Sequence, residues 1–270
     1  MDLHLKGKVA LVTGGGQGVG RRICLDLAAE GAHVLVNDLF AERANAVAQE
    51  IVAAGGKARA AVADITDEAA VDKMIADGTA AFGSIDILVN NAGIIPERRE
   101  KGGIPPKFLQ TDSMGWKKIV DLNVYGMLYC CKAVLPGMVD KRGGKIVSIM
   151  SEAGRVGEAN LAVYSGAKAA ILGFSKAIAQ EHGKDCINVN VIALGAVSHE
   201  GIKDGALAPS STPENNERLA KMLKAYPISR GLNRLCKPED VSGMVAFLAS
   251  DRAAFITGQS IGVSGGFTML

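Results

Sequence analysis

Lys8-Val9-Ala10-Leu11-Val12-Thr13 runs straight into Gly14-Gly15-Gly16-Gln17-Gly18-Val19-Gly20, and this junction decides the fold. A short apolar run meets a glycine turn. Arg21 to Glu30 follows, amphipathic at helical period and closed by Gly31. Strand, glycine turn and helix together let a backbone approach a pyrophosphate at a helix N-terminus. The spacing is Gly14-x-x-x-Gly18-x-Gly20 rather than G-x-G-x-x-G, so the commonest dinucleotide fingerprint is not met. Taken alone, such a turn is equally well a flexible connection.

The next apolar run, His33-Val34-Leu35-Val36-Asn37, ends on Asp38, 20 residues past Gly18. A carboxylate there can accept hydrogen bonds from an adenosine ribose, and its charge repels a 2′-phosphate. Gln17 stands in the glycine loop where a cation would favour NADP, so NAD is the expected cofactor. Arg43 is the one nearby cation that argues otherwise, and it is expected on a solvated helix face. Alternation continues with a helix over Ala41–Ala54, a strand over Lys57–Val62 ending near Asp64-Ile65, a helix over Asp67–Phe82 and a strand over Ile85–Val89. Strands alternating with helices imply right-handed crossovers and a parallel sheet covered on both faces. No repeat, low-complexity tract or composition shift marks a second domain. The expectation is one α/β domain over 1–270, a doubly wound parallel sheet of Rossmann type.

Further along, Lys145 to Met150 reads as a buried strand followed by Ser151, and Tyr164-Ser165-Gly166-Ala167-Lys168 lies beyond it. Tyr164 and Lys168 are four apart, so on a helix they share a face. A phenol is a poor acid–base group at neutral pH, with an ordinary pKa near 10, and a neighbouring ammonium stabilises its phenolate. Ser151, held at a strand end, can face the same substrate oxygen. Together they suit proton transfer to a carbonyl or from an alcohol, although a lone Tyr-x-x-x-Lys is common on solvated helices.

Composition excludes several classes. The chain has a net charge of +2 with both signs interspersed and is 4% aromatic, which gives no footprint for nucleic acid. Its five cysteines, Cys24, Cys130, Cys131, Cys186 and Cys236, and its four scattered histidines show no metal-type spacing, so no metal is expected. Buried free thiols in a reducing compartment are the reading. No apolar run looks long enough to span a membrane, and the start lacks a signal-peptide pattern. A cytoplasmic protein is expected.

At Asn90-Asn91-Ala92-Gly93 the resemblance becomes specific: the chain resembles the short-chain dehydrogenase/reductase family over essentially its whole length. The family's glycine pattern matches Thr13-Gly14-x-x-x-Gly18-x-Gly20, and its Asn-Asn-Ala-Gly element matches Asn90 to Gly93. Its active-site asparagine falls on Asn123, its serine on Ser151, thirteen before the tyrosine, and its Tyr-x-x-x-Lys on Tyr164 and Lys168. The resemblance implies a catalytic set of Asn123, Ser151, Tyr164 and Lys168. It implies NAD contacts at Gly14, Gln17, Gly18, Val19, Gly20 and Asp38, and further ones at Asp64, Ile65, Asn91, Ala92 and Gly93. Tyr164, Lys168 and the backbone at Val197 complete them. It also implies a small-molecule substrate, a mobile lid over about 194–230 and a homotetramer.

Two stretches depart from the family. Gly93 to Trp116 is long, Pro/Gly-rich and basic, either a solvated excursion or a cationic rim for a coenzyme A thioester. Arg98, Arg99, Lys101 and Lys107 are its candidate phosphate contacts. After Ile187 to Ile192, the family's Pro-Gly, with a threonine four residues past that glycine, is replaced by Leu194-Gly195-Ala196-Val197-Ser198-His199. Loss of the proline is expected to loosen the turn. His199 is open to three readings: the threonine's replacement, a substrate contact, or a solvated side chain. Glu152, Arg155 and Glu158 are further polar candidates near the substrate.

The expected function is NAD-dependent interconversion of a secondary alcohol and a ketone, on a hydroxyacyl-CoA-type or cyclic substrate. The rival is a catalytically silent, NAD-binding or structural subunit of a hetero-oligomer. An NADP-linked reductase is countered by Asp38 and Gln17.

Overall fold

A computed structural model describes residues 2–94, 105–202, 207–208 and 213–269. The apolar runs become seven strands: β1 (Val9–Val12), β2 (His33–Asp38), β3 (Lys57–Val62), β4 (Ile87–Asn90), β5 (Gly144–Ser151), β6 (Ile187–Leu194) and β7 (Ser260–Val263). They form one parallel sheet in the order β3-β2-β1-β4-β5-β6-β7. β1 and β4 are buried along their whole length, because helices cover both faces of the sheet.

The helices are α1 (Gly18–Ala29), α2 (Ala41–Ala53), α3 (Glu68–Phe82), α4 (Ser113–Val120), α5 (Gly126–Asp140), α6 (Ala153–Val156), α7 (Ala162–His182), α8 (Pro213–Ala225), α9 (Pro227–Leu232) and α10 (Pro238–Leu248). Ile23 and Leu27 of α1, Val47 of α2 and Val245 of α10 pack with Ala10, Val12 and Val34 on one face. Val71 of α3, Val134 of α5 and Ile171 of α7 pack with Val9, Leu11 and Leu35 on the other. The two faces draw alternate residues of the same strand, as period-two geometry requires. Strand order reverses at β1, which has β2 on one side and β4 on the other. The carboxyl ends of the strands at such a switch point are the usual ligand position in open α/β sheets.

Three expectations are corrected. The turn after β6 is not loose. Leucine keeps the N–H that proline lacks, and β6 runs on to Leu194, in register with Ser151 on one side and Val263 on the other. Beyond it, Ala196 N donates to the Tyr226 hydroxyl (3.2 Å), Ser198 N donates to Cys236 O (2.8 Å), and Val197 forms a parallel bridge with Cys236.

A helix continuous from Ser113 to Asp140 is, at 28 residues and a window mean hydropathy of 1.2, long and apolar enough to cross a membrane by length and composition. Here it packs Met127, Cys130, Cys131, Val134 and Met138 into the core beside the sheet. Of the free thiols, Cys24, Cys130 and Cys131 are buried, whereas Cys186 is exposed and Cys236 half-buried.

Candidate active site

Ser151 ends β5, and Tyr164 and Lys168 stand one turn apart at the start of α7. Lys168 is 4% exposed, and its Nζ donates to Ile149 O at 3.0 Å and lies 5.7 Å from the Tyr164 ring centroid. Burial pushes the Lys168 ammonium down to about 8, so it remains protonated at neutral pH. A buried cation one turn from a phenol favours the phenolate.

Asn123 sits on a π turn, Asp121–Tyr125, between α4 and α5. Such turns put an extra residue into a helix and recur at functional sites. Its Nδ2 donates to Ile119 O (3.0 Å), while its buried Oδ1 has no partner among the described residues. A Cβ added to Gly93 would lie 2.5 Å from Lys168 Nζ and 2.8 Å from Asn123 Oδ1. The glycine therefore lets strand β4, the helix π turn and α7 converge on one point. Ser151 Oγ accepts from Ala153 N at 3.2 Å.

The glycine turn follows the carboxyl end of β1. Gly14 and Gly18 have φ of +62° and +54°, the left-handed region that favours glycine. Gly20 must also be bare, since a Cβ there would run into the Gly14 carbonyl. α1 has Gln17 as a cap that makes no side-chain hydrogen bond and no acid in its first turn, so the helix's own side chains do not neutralise its N-terminal dipole. Val19 is half-buried and packs against the core. Asp38 is 6% exposed, and its carboxylate accepts from Gly16 N and Phe40 N, both at 3.1 Å. Each oxygen retains a lone pair for a further donor.

Asn91 is a positioning residue here. Its Nδ2 donates to Thr13 O (2.9 Å) and Gly14 O (3.1 Å), tying β4 to the glycine turn. Thr13, absent from the expected site, completes the tie by accepting from Asn91 N (3.0 Å) and Ala92 N (3.1 Å). Its position directly before the glycines was the available signal. Past the end of β3, the Asp64 carboxylate accepts from Thr66 N (2.9 Å) and Thr66 Oγ1 (2.8 Å). Ile65 is buried against Gly126.

Several polar side chains are placed differently from expectation. Arg43 is half-buried rather than solvated. Its guanidinium lies 4.3 Å over the Phe40 ring, and its Cβ would be 2.6 Å from a Cβ on Gly16, beside the Asp38 carboxylate. Arg155 does not present its charge to a substrate. It pairs with Glu152 (3.1 Å) and donates to Ser260 O (2.5 Å) and Ser260 Oγ (2.6 Å), while Glu152 accepts from Thr268 Oγ1 (2.5 Å).

The His199 ring is half-buried, with its edge against Gly18. Of the basic-rim candidates, Arg98, Arg99 and Lys101 lie outside the described residues, and Lys107 is exposed. The expected lid is described only at 194–202, 207–208 and from 213 onward. Tyr226, which no motif signalled, closes the turn after β6 through Ala196 and stacks on Phe267 at 4.9 Å.

The sequence profile of the family described as short chain dehydrogenase matches residues 8–205, and the chain belongs to that family. Its relatives are oxidoreductases by name. The (2S)-[(R)-hydroxy(phenyl)methyl]succinyl-CoA dehydrogenase subunit BbsD of Thauera aromatica is 37% identical over 264 residues, covering 98% of each chain. The 3-oxoacyl-[acyl-carrier-protein] reductase FabG of Escherichia coli K12 is 34% identical over 268 residues, covering 99% of this chain and 100% of its own. A solved 7 alpha-hydroxysteroid dehydrogenase, complexed with NADH and 7-oxo glycochenodeoxycholic acid, superposes with a TM-score of 0.85 at 35% identity, covering 98% of this chain and 96% of that one.

Proposed function

We propose that this oxidoreductase interconverts a secondary alcohol and a ketone with NAD, using Tyr164 as general acid–base. The carrying observation is the buried Lys168 cation one turn from Tyr164, beside the orphaned Asn123 oxygen. In oxidation the Tyr164 phenolate takes the hydroxyl proton. Lys168 lowers the phenol's pKa through its charge, and Ser151 orients the substrate oxygen and stabilises its developing negative charge. Asn123 Oδ1, a buried acceptor facing the same point as the ammonium, holds a water that leads protons from Lys168.

The residues fit a dinucleotide. Gly14, Gln17, Gly18, Val19 and Gly20 form a bare cradle at the α1 N-terminus, and Asp38 supports an adenosine ribose. In this reading Asp64, Ile65, Ala92, Gly93 and the Val197 backbone would contact the rest of the dinucleotide, Asn91 holds the turn, and Lys168 would meet the nicotinamide ribose. The bound nicotinamide supplies hydride acceptance and donation. NAD is favoured by Asp38 and by Gln17 in place of a cation; the NADH in the solved relative points the same way. Arg43 beside Gly16 is the feature that favours NADP.

The substrate reading is a hydroxyacyl-CoA-type or cyclic molecule, supported by relatives named for an aryl-substituted succinyl-CoA and for a steroid. A homotetramer is the proposed assembly, supported by large apolar side chains left exposed at Met114 (73%), Leu109 (94%) and Phe255 (105%). Light scattering at four times 28.0 kDa tests it. A second reading, a silent partner in a hetero-oligomer, draws on the Thauera relative being named as a subunit.

The test is NADH formation from secondary alcohols supplied in pairs, as free acid and as coenzyme A thioester. Turnover of the thioesters supports the reading. Turnover of free acids alone removes the thioester, and NAD binding without turnover across the panel favours the silent subunit.

A further inference from the structure

Resting on the reading of a hydroxyacyl-type substrate oxidised at Ser151 and Tyr164, we propose that Tyr226 is a substrate-specificity residue, its hydroxyl donating a hydrogen bond to a carbonyl oxygen of the substrate beyond the reacting carbon. The phenol stands beside the strand end that carries Ser151. Leu194, the last residue of β6, is in register with Ser151 across a strand spacing of about 5 Å. The next residue, Gly195, meets the Tyr226 ring, since a Cβ there would lie 2.8 Å from Cε1. One residue further on, Ala196 N donates to the phenol oxygen at 3.2 Å. The carboxylates whose charge reaches the phenol, Glu158 and Glu152, belong to the stretch that joins Ser151 to the helix of Tyr164. Tyr226 is thereby bracketed by the segments that follow β5 and β6, on either side of the serine.

A phenol oxygen both accepts and donates. The Ala196 amide takes an acceptor position on Tyr226, and the hydroxyl proton has no acceptor among the described residues. A tyrosine hydroxyl on a half-buried ring ordinarily finds one. That proton stays on the oxygen. Burial first, then the Glu158 and Glu152 charges, push the Tyr226 pKa up from its ordinary value near 10, against the opposing pull of the Ala196 amide. The two tyrosines therefore differ in kind: Tyr164, one turn from the Lys168 cation, exchanges a proton, whereas Tyr226 keeps one and offers it. The donor is also held in place beforehand. Its ring stacks on Phe267 at 4.9 Å, its carbonyl accepts from Arg230 N at 3.3 Å, and the neighbouring Ile228 N donates to Gly265 O at 3.1 Å.

The experiment compares ethyl 3-hydroxybutanoate, which carries a carbonyl besides its secondary alcohol, with 2-pentanol, which does not. Each is oxidised with NAD by wild type and by Tyr226→Phe, a variant that keeps the ring against Phe267, with melting curves to verify folding. The proposal expects the ester-to-alcohol ratio of kcat/KM to fall about 10-fold in the variant, with the loss in the KM of the ester. If the hydroxyl only braces Ala196, both substrates lose alike, and an unchanged ratio would overturn the proposal. A loss carried by kcat at unchanged KM would place the effect on the chemical step and overturn it too. Should the Phe variant not fold, wild type decides: a KM for the ester about 10-fold or more below that for the alcohol is expected, and equal values overturn the proposal. NADH binding without turnover of either alcohol or of any coenzyme A thioester would instead bring down the oxidoreductase reading, and this inference with it.

Discussion

Two buried cations lie near Ser151, and they are held in opposite ways. The Arg155 side chain is 6% exposed and meets the 1%-exposed Glu152 carboxylate, the Ser260 carbonyl and the Ser260 hydroxyl. Its charge is neutralised where it stands, and the cluster ties α6 to β7 and to Thr268 near the chain's end. Lys168 is buried with no carboxylate paired to it among the described residues, and its Nζ donates to one backbone carbonyl. Its charge is left uncompensated and titratable near the working range. A satisfied buried pair holds structure together; an unpaired buried cation beside a phenol can do chemistry.

The largest effect expected from this contrast is on turnover. Tyr164→Phe keeps the ring and removes the proton carrier, and steady-state NADH formation should fall on the order of 1,000-fold with the melting temperature unchanged. Next comes stability. Arg155→Met leaves the Glu152 carboxylate buried without its cation, which should cost about 3–5 kcal/mol in urea unfolding.

A smaller effect separates Lys168 by pH. Its folded pKa of about 8 lies below the roughly 10.4 of an unfolded lysine, so the unfolded chain binds the extra proton between those values. The buried charge is therefore a full burden below pH 8 and is relieved as pH rises toward 10. Lys168→Met should be more stable than wild type at pH 7, by a margin that shrinks by about 3 kcal/mol across that window; urea titrations at pH 7 and pH 10 measure it. Smallest is the cofactor effect. Asp38→Asn removes the charge proposed to meet the ribose and should move the NAD-to-NADP ratio of kcat/KM roughly 10-fold toward NADP.

What was legible in the sequence was local. Val9–Val12 followed by glycines and Lys57–Val62 needed only short-range pattern, and they form where expected. Tyr164 and Lys168 were readable for the same reason, since helical spacing alone puts them on one face. Arg155 was not, because its direction is decided by Ser260, 105 residues away. The turn after Leu194 was misread for a related reason. Its rigidity comes from Tyr226 and Cys236, distant residues that no motif connects to it. Arg43 was assigned to solvent by helix periodicity, whereas the aromatic ring of Phe40 and the bare Gly16 beside Asp38 draw it inward.

The measurement that tests the central contrast most directly is a paired one, on Arg155→Met and Lys168→Met made and assayed together. Urea unfolding and NADH formation per folded molecule are read on the same samples at pH 7. The predicted result is a crossing: Arg155→Met loses stability and keeps turnover within about 3-fold, while Lys168→Met keeps or gains stability and loses turnover at least 100-fold. Wild-type turnover in Lys168→Met, or an equal loss of turnover in folded Arg155→Met, would contradict the assignment of chemistry to one cation and structure to the other.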